Sequence, residues 1–269
     1  MNQTKIKPPD PNPRIISLSS QKGGTGKTTT ALNLGAILGE KGKKTLLIDM
    51  DPQANLTMGL GGVSKKNQTT IYEVLLNPEH GLELALCKTN LPNVDLVPSS
   101  LDLAGAEVEL AGKPGRQTLL KKSMAEIEAA YDFIIIDTPP SLGLYTQNAL
   151  IACYEVVVPL QVHVYALKAV AQLQTMIRVL RKHHNPRLHI SGLVCTMYDS
   201  RNSLSRVIEN SVRADLGDIV FKTIIPMNIA LAEAPAAGQP ITVYAPHSAG
   251  ARAYRELFEE IINDVGVNV

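Results

Sequence analysis

Arg14-Ile15-Ile16-Ser17-Leu18-Ser19 is a short β-branched, apolar run, and it leads into Ser20-Gln21-Lys22-Gly23-Gly24-Thr25-Gly26-Lys27-Thr28-Thr29. A strand, a glycine-rich loop, a Lys-Thr pair and the start of a helix follow one another in the order of a phosphate-binding P-loop. Glycine lets the backbone turn its N–H groups inward as a nest for phosphate oxygens. The helix beginning near Lys27 adds first-turn donors and the positive end of its dipole. In that layout Gly23, Gly24, Thr25 and Gly26 cradle phosphates, and Lys27 reaches the β- and γ-phosphates. Thr28 ligates Mg2+, and Thr29 bonds the α-phosphate. The loop departs from G-x-x-x-x-G-K-[ST] at its first glycine, where Gln21 stands, followed by a second lysine, Lys22.

Outward from the loop the hydrophobic periods alternate. Leu32, Leu34, Ile37 and Leu38 continue a helix that Gly42 closes, and 45–48 reads as a buried strand. Segments 94–97, 133–136, 156–159, 190–195 and 220–225 are strand-like, and 119–130, 166–182, 203–216 and 251–265 are helical. Strands apolar on both faces, alternating with helices, predict a mostly parallel, twisted sheet with helices on both faces. The expected fold is therefore a single-domain α/β P-loop NTPase fold spanning 14–269. Pro8, Pro9, Pro11 and Pro13 suit neither a helix nor a sheet centre, so 1–13 reads as a disordered lead.

A net charge of +1 provides no global field, so any surface for nucleic acid must be local. Cys87, Cys153 and Cys195 form no C-x-x-C pair and read as buried thiols in a reducing compartment. No segment resembles a signal peptide or is long and apolar enough to span a bilayer. The expectation is a cytoplasmic protein with no membrane partner.

Two strand ends carry carboxylates. Asp49 closes the second strand, where an acid can hold Mg2+ through water or position an attacking water. Asp51, before Pro52, reads equally well as a turn residue. Asp137 follows Phe133-Ile134-Ile135-Ile136 in a Walker B pattern that sets the acid near Mg2+. Pro139 and Pro140 stiffen the loop beyond it.

The run Lys22 to Thr29 resembles the deviant Walker A of the ParA/MinD superfamily of ATPases. The resemblance extends from Arg14 to about Val265 and is strongest to the small, Soj-like ParA proteins, through 51–55, 108–112, 196–201 and 231–235. It implies that Lys22 crosses a dimer interface to the partner's nucleotide as a charge stabiliser. Bracing of its own phosphates remains the alternative. Residues 49–53 resemble the family's D-x-D-P-Q element, and on that resemblance Asp49 takes the hydrolytic role. The loop at Pro139 and Pro140 is implied to sense the γ-phosphate, and Pro226 and Asn228 to contact adenine. Only thirteen residues precede the first strand, so no separate operator-reading domain is expected. The terminal segment 257–265 has helical apolar spacing with acidic charges, which suits core packing rather than a basic membrane anchor.

The family implies a slow ATPase that uses ATP and Mg2+ and forms a homodimer around ATP. It further implies non-specific binding of double-stranded DNA on the nucleoid and stimulation by a ParB-like adaptor on the cargo. Between Arg178 and Lys222 eight basic side chains face four acidic ones, and Arg201, Arg206 and Arg213 are the DNA candidates. Relatives read P-R-N-V-R-L-S-E-A-P where this chain has Met227 and Ala230 at the two basic positions. That departure keeps open an ATP-switched protein scaffold without DNA. A metabolic P-loop enzyme would share the loop, but no acceptor motif accompanies it.

Overall fold

The computed structural model describes residues 13–62, 68–163 and 166–263. The lead at 1–13, except Pro13, and the last residues of the 251–265 helix lie outside them. Eight strands are described: β1 Arg14–Leu18, β2 Thr45–Asp49, β3 Cys87–Lys88, β4 Val94–Val97, β5 Phe133–Asp137, β6 Glu155–Gln161, β7 His189–Tyr198 and β8 Val220–Pro226. They form one sheet in the order β3-β4-β2-β5-β1-β6-β7-β8, parallel except for the pairing of β3 with β4.

The central strands are buried on both faces because neighbouring side chains point to opposite sides. Ile15, Leu46, Ile48, Ile134 and Ile136 enter one core with the helices Leu144–Ala152 and Ala166–His183. Ile16, Leu18, Leu47 and Ile135 enter the other with the helices Lys27–Glu40 and Ala249–Asn263. The terminal helix buries Tyr254, Leu257, Phe258 and Ile261, so it is a core helix as its spacing predicts. Among the described residues no helix is long and apolar enough to cross a membrane.

Several elements differ from the sequence reading, which does not announce the helices Asn55–Gly59, Ile71–Leu76, Leu103–Glu109, Leu144–Ala152, Ile229–Ala236 and Ile241–Tyr244. The helix expected over 119–130 is Leu119–Met124, followed by a 3-10 turn at Glu128–Ala130. Its apolar period persists in buried Leu119, Leu120, Met124 and Ile127. Its hydrogen bonds, however, tighten to the i−3 carbonyl at Ala125, Ile127 and Ala130. The chain is thereby delivered to Lys44, whose carbonyl accepts from the amides of Asp132 and Phe133. The two-residue β3 is too short for any period to announce it.

The outer strand β8 has its polar edge covered. Glu260 accepts from the amides of Lys222 and Thr223, and Arg213 donates to the carbonyls of Phe221 and Lys222. Such covering blocks edge-to-edge pairing with another sheet.

The register fixes the site. Leu18 pairs with Asp137 and Asp137 with Asp49, so the ends of β1, β5 and β2 stand in one row. At the opposite end Arg14 grips Glu155 through two bonds of 2.8 and 2.6 Å and reaches the Ile261 carbonyl at 3.1 Å. Removing one partner of a half-buried pair strands the other charge. Glu155→Ala is expected to lower stability by about 2–3 kcal/mol in urea denaturation. A loss below about 0.5 kcal/mol would show that the clamp contributes nothing.

Candidate functional site

The loop between β1 and the helix Lys27–Glu40 is shaped by glycines that no other residue replaces cheaply. Gly24 and Gly26 have φ of 70° and 86°, the left-handed region that side chains disfavour. Gly26 caps the helix with no side-chain hydrogen bond to its first turn, which leaves those donors for an anion. The Thr196 hydroxyl, from β7, donates to the Thr25 carbonyl at 2.8 Å and holds the loop from behind.

Lys27 is 6% exposed, and its ammonium donates to the Lys22 carbonyl at 3.4 Å. Burial lowers its pKa, while the charges of Asp137 and Asp51 hold it up. Asp137 is fully buried, and neither carboxylate oxygen has a hydrogen-bond partner. Burial pushes its carboxyl well above the usual range and Asp49 adds to this, against the pull of Thr28 and Lys27. An unpartnered buried carboxylate costs several kcal/mol unless something compensates its charge. A hard cation beside the Thr28 hydroxyl does so, and the oxygen donors of Asp137 and Thr28 suit Mg2+.

The two carboxylates of the 49–53 element are placed differently. Asp49 is fully buried and engaged on both oxygens: Oδ1 accepts from the Asp51 amide at 3.1 Å, and Oδ2 from the Thr57 amide and hydroxyl at 2.9 and 2.7 Å. Burial pushes its pKa up to about 6 against those bonds. The Thr57 hydroxyl also accepts from the Ser99 amide at 3.0 Å, so Asp49 organises the segment that follows. Asp51 accepts from the Gln53 amide through Oδ1 at 2.9 Å and lines the cavity beside the loop.

That cavity is about 550 Å³, within the usual range for a small-molecule site. Residues 23–29 form its polar end. Met58, Met197, Leu231 and Pro235 supply apolar surface. Met197 has φ of 52°, a strained conformation for an unbranched side chain that clusters at functional sites.

Comparison with known proteins decides among P-loop proteins. The AAA domain family matches residues 13–190. The sporulation initiation inhibitor protein Soj of Bacillus subtilis is 43% identical over 92% of this chain and 98% of its own length. The chromosome partitioning protein ParA of Caulobacter vibrioides is 44% identical over 93% of this chain and 94% of its own. The crystal structure of cobyrinic acid a,c-diamide synthase from Mycobacterium smegmatis, with bound ADP and magnesium, is 37% identical. It superposes with a TM-score of 0.79 over 93% of this chain and 94% of that one.

The chain belongs to the ParA/Soj family of ATPases.

Against the family's pattern the structure distributes the expected residues unevenly. Gly23, Gly24, Thr25, Gly26, Lys27, Thr28 and Thr29 all line the cavity. Lys22 is exposed and donates to Gln161 Oε1 at 2.8 Å, at the end of β6. Pro226 and Asn228 are not among the lining residues; Asn228 precedes the helix Ile229–Ala236, which lines the cavity, and its Oδ1 is buried without a partner. Arg201 is bound through two nitrogens to Asp199, at 3.0 and 3.1 Å. Arg213 is bound to Glu209 at 2.7 Å and to the edge of β8, while Arg206 is exposed on the helix Ser203–Leu216.

Gln161 and Thr196 escaped the sequence reading. They are partners across β6 and β7, and both reach the loop. Only register links them to it. Thr196→Val removes a buried bond worth about 1 kcal/mol and is expected to weaken MgATP binding roughly fivefold by calorimetry. Unchanged affinity would show that the loop keeps its shape alone.

Proposed function

We propose that this chain is a partition ATPase of the ParA/Soj type that binds ATP with Mg2+, dimerises around it and hydrolyses it slowly. The observation that carries the reading is Asp137, buried with both oxygens unpartnered, beside Thr28 and Lys27 under an uncapped glycine loop. Thr28 and Asp137 are the residues that would hold Mg2+. A bound Mg2+ neutralises phosphate charge and favours departure of ADP. The loop amides and Lys27 hold the phosphates in place, and Met197, Leu231 and Pro235 flank the base. Lys22 is the mobile cation. It leaves Gln161 for a phosphate, in the partner's site or its own, where it stabilises developing negative charge.

The hydrolytic role passes from Asp49 to Asp51. Both Asp49 oxygens are engaged inside the protein, which leaves none to orient a water. Asp51 is two residues on, at the cavity wall, with one oxygen not used in its turn. Dimer formation, non-specific DNA binding and stimulation by a ParB-like adaptor on the cargo complete the proposal. The supporting likeness is to relatives described as chromosome partitioning proteins. One observation favours a second reading, an ATP-switched scaffold without DNA. Arg201 and Arg213 are neutralised by Asp199 and Glu209, and Met227 and Ala230 carry no charge.

Three substitutions test the assignments. Lys27→Ala is expected to weaken MgATP binding by about 2–3 kcal/mol in calorimetry. Asp51→Ala is expected to keep MgATP affinity within a few-fold and to slow single-turnover hydrolysis about 10²–10³-fold. Asp49→Ala is expected to lower stability by about 2–4 kcal/mol because it leaves the Thr57 donors unmatched. If Asp49→Ala folds normally and alone stops hydrolysis, the assignment returns to Asp49.

A further inference from the structure

Lys22 is held at both its ends. Its ammonium donates to Gln161 Oε1 at 2.8 Å, and its carbonyl accepts from the Lys27 ammonium at 3.4 Å. Gly23 lines the nucleotide cavity, whereas Lys22 is not among the lining residues. The ammonium is thus kept outside a cavity that the very next residue enters.

Gln161 owes its place to the length of β6. β1 pairs with Glu155, Val156 and Val157, and the Ser19 amide still donates to the Val157 carbonyl. β1 then gives way to the phosphate loop, while β6 runs on beside β7 to Gln161. Gln161 and Thr196 are partners in register, so their side chains stand on one face of the sheet. Thr196 grips the Thr25 carbonyl and Gln161 grips the Lys22 ammonium. Two strands that outrun β1 therefore hold the loop at two points, one on its backbone and one on a side chain.

The two holds on Lys22 differ in kind. The amide oxygen of Gln161 is neutral, and Lys22 takes part in none of the ion pairs among the described residues. A neutral acceptor holds an exposed ammonium weakly, and a phosphate oxygen with full negative charge displaces it. The bond from Lys27 depends on the nucleotide, because Lys27 is the lysine that a phosphate in the loop recruits.

We propose that Gln161 is a positioning residue that parks Lys22 outside the nucleotide cavity, so that release of Lys22 sets the threshold for ATP-dependent dimerisation. The inference rests on the reading of Lys22 as the mobile cation and commits it to the partner's site. Release is ordered. Phosphate in a protomer's own loop first takes Lys27 from the Lys22 carbonyl, and the partner's phosphate then takes Lys22 from Gln161. A chain without nucleotide keeps both holds, which disfavours an empty dimer. A two-fold symmetric dimer must open two such latches, so the cost of one enters the dimerisation constant twice.

The experiment is sedimentation of the full chain with Mg2+ and a slowly hydrolysed ATP analogue, read as a dimerisation constant. Gln161→Leu keeps the size and removes the acceptor. It is expected to tighten the dimer about tenfold to twenty-fivefold, from about three- to fivefold at each latch. Gln161→Glu turns the latch into an ion pair and is expected to weaken the dimer at least about threefold. Analogue affinity of the monomer should change by less than about twofold in either. Opposite signs at one position do not arise from a merely structural role, and shifts of one sign in both would overturn the proposal. So would a dimer formed by Gln161→Leu in a Lys22→Ala chain, since association would then run through the new leucine. If Lys22→Ala prevents the dimer while both Gln161 substitutions leave the constant unchanged, the latch is overturned and the mobile-cation reading stands. If Lys22→Ala dimerises as the unaltered chain does, that reading fails and the latch with it. If Gln161→Leu raises analogue affinity of the monomer and leaves the dimerisation constant unchanged, Lys22 serves its own phosphates and the proposal is overturned.

Discussion

A buried ammonium needs opposite charge, and Lys27 has it from Asp137 and Asp51. That requirement constrains the architecture around it. Lys27 begins a helix that leaves β1, while its counter-charges come from the end of β5 and from just beyond β2. The three strands must therefore be adjacent, and the sheet order places β5 between β1 and β2. Parallel pairing then brings their C-terminal ends to one level, with Asp49, Asp137 and Leu18 in register. With all three carboxyls ionised the cluster carries more negative than positive charge, so a bound cation or a proton must balance it.

The same end of the sheet also anchors the loop beyond β5. Thr138 donates to the Leu18 carbonyl at 2.8 Å and so ties the segment after β5 to β1. Beyond Pro139 and Pro140 the chain is fastened again where Glu107 accepts from the Leu144 amide at 3.2 Å. The loop between these two bonds is tied at both ends.

Much of this was legible from the chain. The loop, its helix and the central strands follow from local residue types, because glycine, Gly-Lys-Thr and doubly apolar strands act over a few neighbours. The place of Asp137 at the end of an apolar strand was legible for the same reason. The engagement of Asp49 inside the protein was not, because it depends on Thr57, whose hydroxyl and amide reach back from the next helix. Gln161 and Thr196 became meaningful only through the β6–β7 register. Arg201 and Arg213 looked like open cations in sequence, and the fold paired each with an acid. Asn185, whose side-chain amide reaches three carbonyls more than thirty residues away, carried no signal in the sequence.

The most direct test of the central claim is a crystal structure of the chain with Mg2+ and a non-hydrolysable ATP analogue. The account predicts phosphates on the amides of 23–28, Mg2+ beside Thr28 and Asp137, and the base against Met197, Leu231 and Pro235. It also predicts Asp51 facing the γ-phosphate while Asp49 remains bonded to Thr57. A nucleotide seated elsewhere, or Asp49 released from Thr57 and turned to the γ-phosphate, would contradict it.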